Sequence, residues 1–599
     1  MKRKSFVYHP MLKVSCLALL LAFLMPFESH GQIKEAWALG DGEKVFRNDL
    51  DHPSKKGNYI WDGKVIRLKG LYNEVLGVQV ILEAATDTAK AVELTVDLPV
   101  NKKSGKIIGG NTLKYGPSGT VELFSQHYLL VKDSAYTQPR WFYGSPAASP
   151  KKMTGWIPDA LIPVTAIKGR GGFPLDIAPE RNQGFWIDIS LPRDQKEFPA
   201  GMYYGKVNVS QNGRKIKEIP LEITLLPNYL PDENRTNIWL HASGIYSYYP
   251  DLTPQEVDQM LKFEGHRHRI DIPGGDKVNA PFNRATMEKY KPYLDGSAFT
   301  PANGYHGSGE GVGEHIFPVG MYGSPIMGNT KNEVQNQSNL WVDWFNKNAP
   351  AVSYFWYMTD EPPKAKYPWV LERGSWIKEN PGVGKALPLF TTTHYQPDLA
   401  GVIDVWAGYD GVNLSDLPIV RAKGGDHWFY NGNRPRYGSV ILEGAAVDLR
   451  VNSWILYKYD IKTHFIWHGT LWQHNMQGPK RHQHQNIFTN PLTFINDGMN
   501  FGNGDGILFY PGNMPYYPSE NRGINELIPS IRLKNIRRGQ QDANIMWMVE
   551  KKSGKEKVVN IINKVVPKAL SEVSMKDSVL WSEHGDDYDK IRDELLKQL

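Results

Sequence analysis

Cysteine is nearly absent from the 599 residues: the sequence contains one, Cys16. A lone thiol leaves no internal disulfide, and cysteine-ligated zinc is excluded. Charge of one sign is also scarce. Lys and Arg total 69 against 63 for Asp and Glu, a formal net charge of +6, without the concentrated basic patches of a nucleic-acid binder. Internal repeats, low-complexity stretches and heptad runs are lacking. The apolar run near the N-terminus, "VSCLALLLAFLMPF", falls short of the ~20 residues that span a bilayer. It follows the basic "MKRKSFVYHPMLK" and precedes "ESHGQ", which offers small-residue cleavage near Gly31. This pattern predicts an export signal over 1–31 and a protein of the periplasm or medium with no stable membrane span after cleavage, a retained N-terminal membrane anchor being the alternative. Cleavage would remove Cys16, so thiol catalysis is excluded, and would lower the charge to +3. Cys16 is followed by "ALLLAF", unlike a lipid-attached cysteine before a polar mature start.

Aromatic residues are abundant: 12% of the chain, with 18 Trp and 30 Tyr. In exported proteins such residues serve as platforms for the apolar faces of sugars, although any single Trp is equally at home in a core. The length exceeds what one core holds and predicts at least two domains. From Gln32 to about Asp232, "KVIRLKGLYNEVLGVQVILEA" and "KAVELTVDLPV" alternate apolar and polar residues, and "QNGR" supplies a two-residue hairpin turn. A β-sandwich over 32–231 follows, ended by the proline-punctuated "LPNYLPDENR". After Thr236 short apolar strands alternate with helices, among them "TNIWLHAS", "HIFPVG", "VSYFWYMTD", "ALPLFTTTH", "IDVWAGYD", "SVILEG" and "THFIWHGTLW" as strands. This grammar predicts a (β/α)8 TIM-type barrel over 232–599 with C-terminal helices. The basic "RLKNIRRG" reads as a solvated helix face.

In such barrels chemistry sits at the C-terminal strand ends, and "YFWYMTDEPPKAKYPW" delivers two adjacent acids there, Asp360 and Glu361. The residue before a proline is pushed toward extended geometry, so Glu361 is expected to continue the strand. Two neighbouring carboxylates raise the pKa of one of them; a structural acid pair at the rim is the alternative. His268 and Arg269 in "EGHRHRID" are placed either at the barrel mouth or on a charged helix end. The Gly-rich "GYHGSGEGVGEH" lacks the Lys-Ser/Thr of a phosphate loop and reads as a flexible active-site loop bringing Tyr305 and His306, or as a purely structural one. His394 ends "PLFTTTH", Trp406 and Tyr409 end "IDVWAGYD", and Trp467, Trp472 and Asn475 end "IWHGTLWQHN". Of Trp467 and Trp472 one is expected to stack on a sugar, with a place in the core the open alternative for either. His464 and His468 are four apart, but on a strand and with no Glu after His464, so no metal or cofactor is expected.

The motifs "LYNEVLGVQVILEA", "FWIDISLPRDQKEFPAGMYYGKV", "HRHR", "YMTDEPP", "GDGILFYPG" and "PSIRLKNIRRGQQD" occur in an order that resembles glycoside hydrolase family 123, a β-sandwich joined to a barrel. The resemblance covers nearly the whole mature chain. It implies a retaining β-N-acetylgalactosaminidase that uses an adjacent Asp-Glu pair and the substrate's own acetamide. "TDEPP" matches that pair, with Glu361 as general acid/base and Asp360 orienting the acetamide. The implied partner is a glycan. Two alternatives stay open: a glycosidase of this architecture acting on a non-acetamido sugar of a complex polysaccharide, and a non-catalytic carbohydrate-binding protein.

Overall fold

The structure, a computed structural model, describes Met1 and residues 32–110, 118–134, 145–273, 279–409, 411–473, 483–496 and 499–599. The expected export signal therefore lies outside the described residues, Met1 apart. Ten strands come first: β1 (Ile33–Gly40), β2 (Ile66–Tyr72), β3 (Val75–Ala84), β4 (Ala89–Val100), β5 (Thr120–Val131), β6 (Gly155–Pro163), β7 (Leu175–Ile177), β8 (Asn182–Ser190), β9 (Gly201–Gln211) and β10 (Arg214–Tyr229). They form two five-stranded sheets, in the orders β1-β3-β8-β5-β6 and β2-β10-β9-β4-β7. Their inward residues, such as Val78, Ile187, Val207 and Ile223, share one core. The "QNGR" turn joins β9 to β10 with Asn212 at φ 50° and Gly213 at φ 71°, the paired positive values that Asn-Gly supplies in a two-residue hairpin.

Eight short strands follow: β11 (Asn237–Leu240), β12 (Ile316–Val319), β13 (Ser353–Thr359), β14 (Leu389–Thr391), β15 (Val405–Trp406), β16 (Asp426–His427), β17 (Phe429–Tyr430) and β18 (Thr463–Ile466). Helices α1 (Pro254–Arg267), α2 (Arg284–Leu294), α3 (Lys331–Asn348), α4 (Tyr367–Lys378), α5 (Leu417–Arg421) and α6 (Asp448–Lys458) alternate with them. Local sequence sets the helix starts: Thr253 with Glu256 and Thr330 with Glu333 form reciprocal capping boxes on α1 and α3. The strands pair in parallel as two sheets, β11-β18-β17 and β12-β13-β14-β15-β16. Rings fill the space between them. Trp239 stacks on Phe465 at 3.8 Å, and Phe355, Phe390 and Tyr430 close around them.

An unbroken eight-strand ring, as the alternation predicts, is not what these strands form. Residues 426–430 link the sheets, pairing first with β15 and then with β18. On the far side Asp271 bridges to Trp239, but the next contact is from the backbone N–H of His315 to the Asp271 carboxylate at 2.8 Å. A side chain stands there in place of a ladder. Nor is "SVILEG" a strand. Val440, Ile441 and Leu442 are buried in a turn region, and "DHWFY" just before takes the sheet position. Burial accounts for the apolar run without any ladder.

The expectation for "RLKNIRRG" also fails. It opens α7 (Ile531–Ser553), which lies between the sandwich and the parallel sheets with Arg532, Lys534, Arg537 and Arg538 all buried. Arg532 donates to both oxygens of Asp159 at 3.0 and 2.7 Å and to the carbonyl of Val440 at 2.7 Å. Lys534 and Arg537 share Asp188 at 2.8 and 2.6 Å. Gln541 exchanges two hydrogen bonds with the backbone of Val75, each 2.9 Å. A run of like charge is polar in sequence yet buries readily when acids from another element neutralise it. Among the described residues, no helix is long and apolar enough to cross a membrane.

Candidate active site

β13 buries five consecutive residues, Phe355 to Thr359, and then ends. Asp360 and Glu361 follow, and both side chains reach solvent. Glu361 does not extend the strand: its φ is 38°, a left-handed value that a non-glycine residue adopts at a cost. One hydroxyl fixes this geometry. Thr392, just past β14, accepts from the Glu361 backbone N–H at 2.7 Å and donates to Asp360 Oδ1 at 2.7 Å. Tyr357 donates to the same Oδ1 at 2.8 Å. The turn thus sends two successive side chains to one rim, where a regular strand would send them to opposite faces.

Among the described residues, neither acid forms an ion pair with Lys, Arg or His. Glu361 is open on one side but crowded by protein on the others; this desolvation, with the adjacent Asp360 charge second, pushes its pKa up to about 7. A carboxyl titrating there is a proton donor and acceptor near neutral pH. Three tyrosines, the buried Tyr357 and Tyr430 and the half-buried Tyr322, feel the same field. Burial first, and then the Asp360 charge, raises each of them well above the ordinary phenol value, so they stay protonated donors.

The rest of the rim comes from the ends of neighbouring strands. Tyr322, after β12, has φ 52° and donates to the carbonyl of Trp467 at 2.6 Å. Gly323 beside it, at φ 78°, leaves room for β13: an added Cβ would lie 3.2 Å from the Met358 carbonyl oxygen. Trp467, after β18, is half-buried and donates its indole N–H to Asp505 at 2.9 Å. Burial drives the Asp505 carboxyl up to about 6. His241, after β11, sets its ring 5.5 Å from Tyr322. His394 and Tyr409 meet at 5.6 Å, and Gly408 is required there because a Cβ would come within 2.1 Å of His394 Nδ1.

Of the residues singled out in the sequence, Asp360, Glu361, His394, Tyr409 and Trp467 share this rim. Trp406 and Trp472 do not line it. Both are buried in cores, Trp406 against Tyr395 at 5.3 Å and Trp472 with its indole N–H on the Phe509 carbonyl at 2.8 Å. Asn475 lies outside the described residues. His268, Arg269 and Tyr305 sit at the opposite end. They belong to connections that lead from a helix into the next strand, and such turns lie at the N-terminal ends of parallel strands. His268 donates to the Glu264 carbonyl at 2.8 Å, Arg269 to the Asp232 carbonyl at 3.2 Å and to Asn234 at 3.0 Å, and Tyr305 packs on Phe263, His266 and Phe299. The Gly-rich segment is likewise structural, its Gly309 N–H bound to Asp232 at 2.9 Å. Tyr322, Thr392, His241 and Asp505 escaped sequence reading. For the first two a signal existed, since "VGMYG" and "FTTTH" end strands in the same layer as the acids.

Two sheets of parallel strands thus stand beside a β-sandwich, with an acid pair at the end of one strand. The fold is similar to that of a family 123 glycoside hydrolase from Clostridium perfringens whose structure concerns glycolipid glycan hydrolysis; the TM-score is 0.63 and the identity 13%, over 94% of this chain and 98% of that one. The resemblance read from the motifs therefore holds at the level of fold. A family 39 glycoside hydrolase from Bacteroides cellulosilyticus (TM-score 0.29, 10% identity, 72% and 78% of the two chains) and a Bacteroides ovatus xyloglucanase (0.25, 9%, 79% and 98%) are too distant to carry an argument. No protein-family model and no curated protein matches the sequence.

Proposed function

We propose that this chain is an exported retaining glycoside hydrolase acting on a 2-acetamido sugar of a β-N-acetylgalactosaminide type, as in a glycolipid glycan. The observation that carries the reading is the adjacent acid pair at the end of β13, unneutralised by any cation among the described residues and with Glu361 poised at about 7. Hydrolysis of a glycoside takes one carboxyl to protonate the leaving oxygen and a second to assist at the anomeric carbon. Glu361 protonates the leaving group and later deprotonates the attacking water. Asp360, held by Thr392 and Tyr357 through Oδ1, accepts the acetamide N–H, so that the acetamide oxygen attacks the anomeric carbon. Neighbouring carboxylates suffice because the nucleophile belongs to the substrate. The two parallel sheets act together as a (β/α)8-type scaffold, with residues 232–599 as the catalytic unit and 32–231 as the accessory sandwich. The half-buried Trp467 is the platform for the sugar face.

A panel of nitrophenyl β-glycosides tests this, pairing galactosamine and glucosamine N-acetyl derivatives with their 2-hydroxy analogues. Turnover confined to the acetamido members, with competitive inhibition by a thiazoline of the cyclised acetamide, is expected. Preference for the 2-hydroxy sugars would remove the role given to Asp360.

A further inference from the structure

We propose that a cavity of about 340 Å3 between the loop after β11 and helices α1 and α2 is a second sugar-binding site, holding a glycosyl unit of the glycan other than the one at Asp360 and Glu361. The proposal rests on the glycosidase reading. The volume falls within the roughly 300–1,000 Å3 of small-molecule sites. Its position follows from chain direction: residues 242–246 leave the C-terminal end of β11, the end at which the acids lie on β13. Ser243 lines the cavity, and its hydroxyl is 3.3 Å from His241 Nε2 and 3.5 Å from His468 Nε2. The His241 ring lies 5.5 Å from that of Tyr322, and Tyr322 lies 5.3 Å from Tyr357, whose hydroxyl donates to Asp360 Oδ1 at 2.8 Å. A continuous line of contacts joins the cavity to the acid pair.

The cavity wall is built before any ligand arrives. Lys262 is 5% exposed, and its ammonium donates to the Ile272 carbonyl at 2.7 Å, to both oxygens of Glu314 at 3.0 and 3.1 Å, and to the Tyr290 hydroxyl. Burying such a pair is costly unless every partner is placed, and here the result is a rigid polar floor. Tyr246 donates to Asp258 Oδ1 at 2.5 Å, which fixes a carboxylate on the wall. Lys289 and Gln255 stand exposed at the opening. The wall therefore mixes acceptors with donors and adds the rings of Tyr290 and Tyr293. The Lys262 ammonium is already taken up by Glu314, Tyr290 and the Ile272 carbonyl; of the groups left to a ligand, Asp258 argues against a simple anion and the exposed Lys289 against a simple cation. A sugar suits both, because its hydroxyls both donate and accept while its C–H face lies on a ring.

Two measurements decide it, using the full chain. Saturation-transfer NMR with lactose as the probe is expected to give signal with the wild type and with Glu361→Gln, and to lose it in Tyr293→Ala. On a β-N-acetylgalactosaminyl-lactose trisaccharide, kcat/KM is expected to fall about tenfold in Tyr293→Ala, the equivalent of a lost aromatic contact. A fall of a few-fold is expected in Lys289→Ala, whose exposed position spares the fold. The nitrophenyl monosaccharide should change less than about twofold in either variant. Absence of lactose signal from the wild type, or signal and trisaccharide kinetics that neither variant alters, overturns the second site. If the wild type turns over no glycoside at all, the hydrolytic reading fails instead, and the lactose arm by itself decides the cavity.

Discussion

Both ends of the parallel strands carry charge, in opposite arrangements. At the N-terminal end and against the sandwich, buried acids are paired with cations, among them Asp159 with Arg532, Asp188 with Lys534 and Arg537, Asp542 with Arg450, and Glu74 with Arg538. At the C-terminal end Asp360 and Glu361 share a turn with hydroxyls only. The consequences differ in sign. Burial opposes ionisation of Asp188, yet Arg537 and Lys534 outweigh it and hold its carboxyl well below the usual range. No cation offsets the protein crowded against the solvent-reaching Glu361, and its carboxyl rises to about 7. Neutralised charge binds one part of the molecule to another; charge left without a partner is available for chemistry.

The largest effect that could break this contrast is on turnover. Glu361→Gln should lower kcat about 10²–10⁴-fold, the usual contribution of a general acid, and Asp360→Asn about 10²–10³-fold, both measured on the nitrophenyl acetamido sugar. Neither should unfold the chain. The Glu361 pKa is raised on folding, so the folded state binds the extra proton between the ordinary carboxylate value of about 4.3 and about 7, and stability falls as pH rises through that window. Glu361→Gln removes that penalty and should raise the melting temperature above pH 7 while leaving it nearly unchanged at low pH.

Next in size, Asp188→Ala leaves Lys534 and Arg537 buried without their anion and should cost about 3–5 kcal/mol in a denaturant titration. Per-molecule activity of the folded fraction should not change, which separates the two ends. Smaller again, Thr392→Val removes a hydrogen bond to a carboxylate and the acceptor for the Glu361 N–H. A loss of about 1.5–3 kcal/mol of transition-state stabilisation, roughly 10–100-fold in kcat/KM, is expected. Thr392→Ser should restore most of it. The smallest effect is Tyr322→Phe, which frees the Trp467 carbonyl and should raise KM a few-fold through the displaced indole.

The same contrast explains what could be read from the sequence. Period-two and helical patterns located β2 to β4 and β8 to β10 of the sandwich, β11 to β15 and β18, because burial of one face leaves its mark on consecutive residues, whereas β1 and β5 to β7 were not singled out. "YFWYMTDEPP" gave the acid pair, since an apolar strand ending on two acids before two prolines has few other readings. For His268, Arg269 and Tyr305 two readings stood side by side, and the fold matches the helix-end and structural-loop ones; the rule that separates them is that helix-to-strand turns lie opposite the rim that carries the acids. "RLKNIRRG" was misread because its partners, Asp159 and Asp188, are some 350 residues away in the sequence. For Thr392 the strand end "FTTTH" marked the layer, but its two bonds reach across the sheet from β14 to β13 and its role could not be read locally. The left-handed Glu361 ran against the preference of a residue before proline, and the bond from Thr392 holds it there.

The pH dependence of kcat/KM on a nitrophenyl β-N-acetylgalactosaminide tests the central claim most directly. If Glu361 is the general acid, it must be protonated to act. The rate should then fall as pH rises through about 7, and that limb should vanish with the residual activity of Glu361→Gln. A profile flat across the range from about pH 5 to 9, or one that Glu361→Gln reproduces at the wild-type rate, would contradict it.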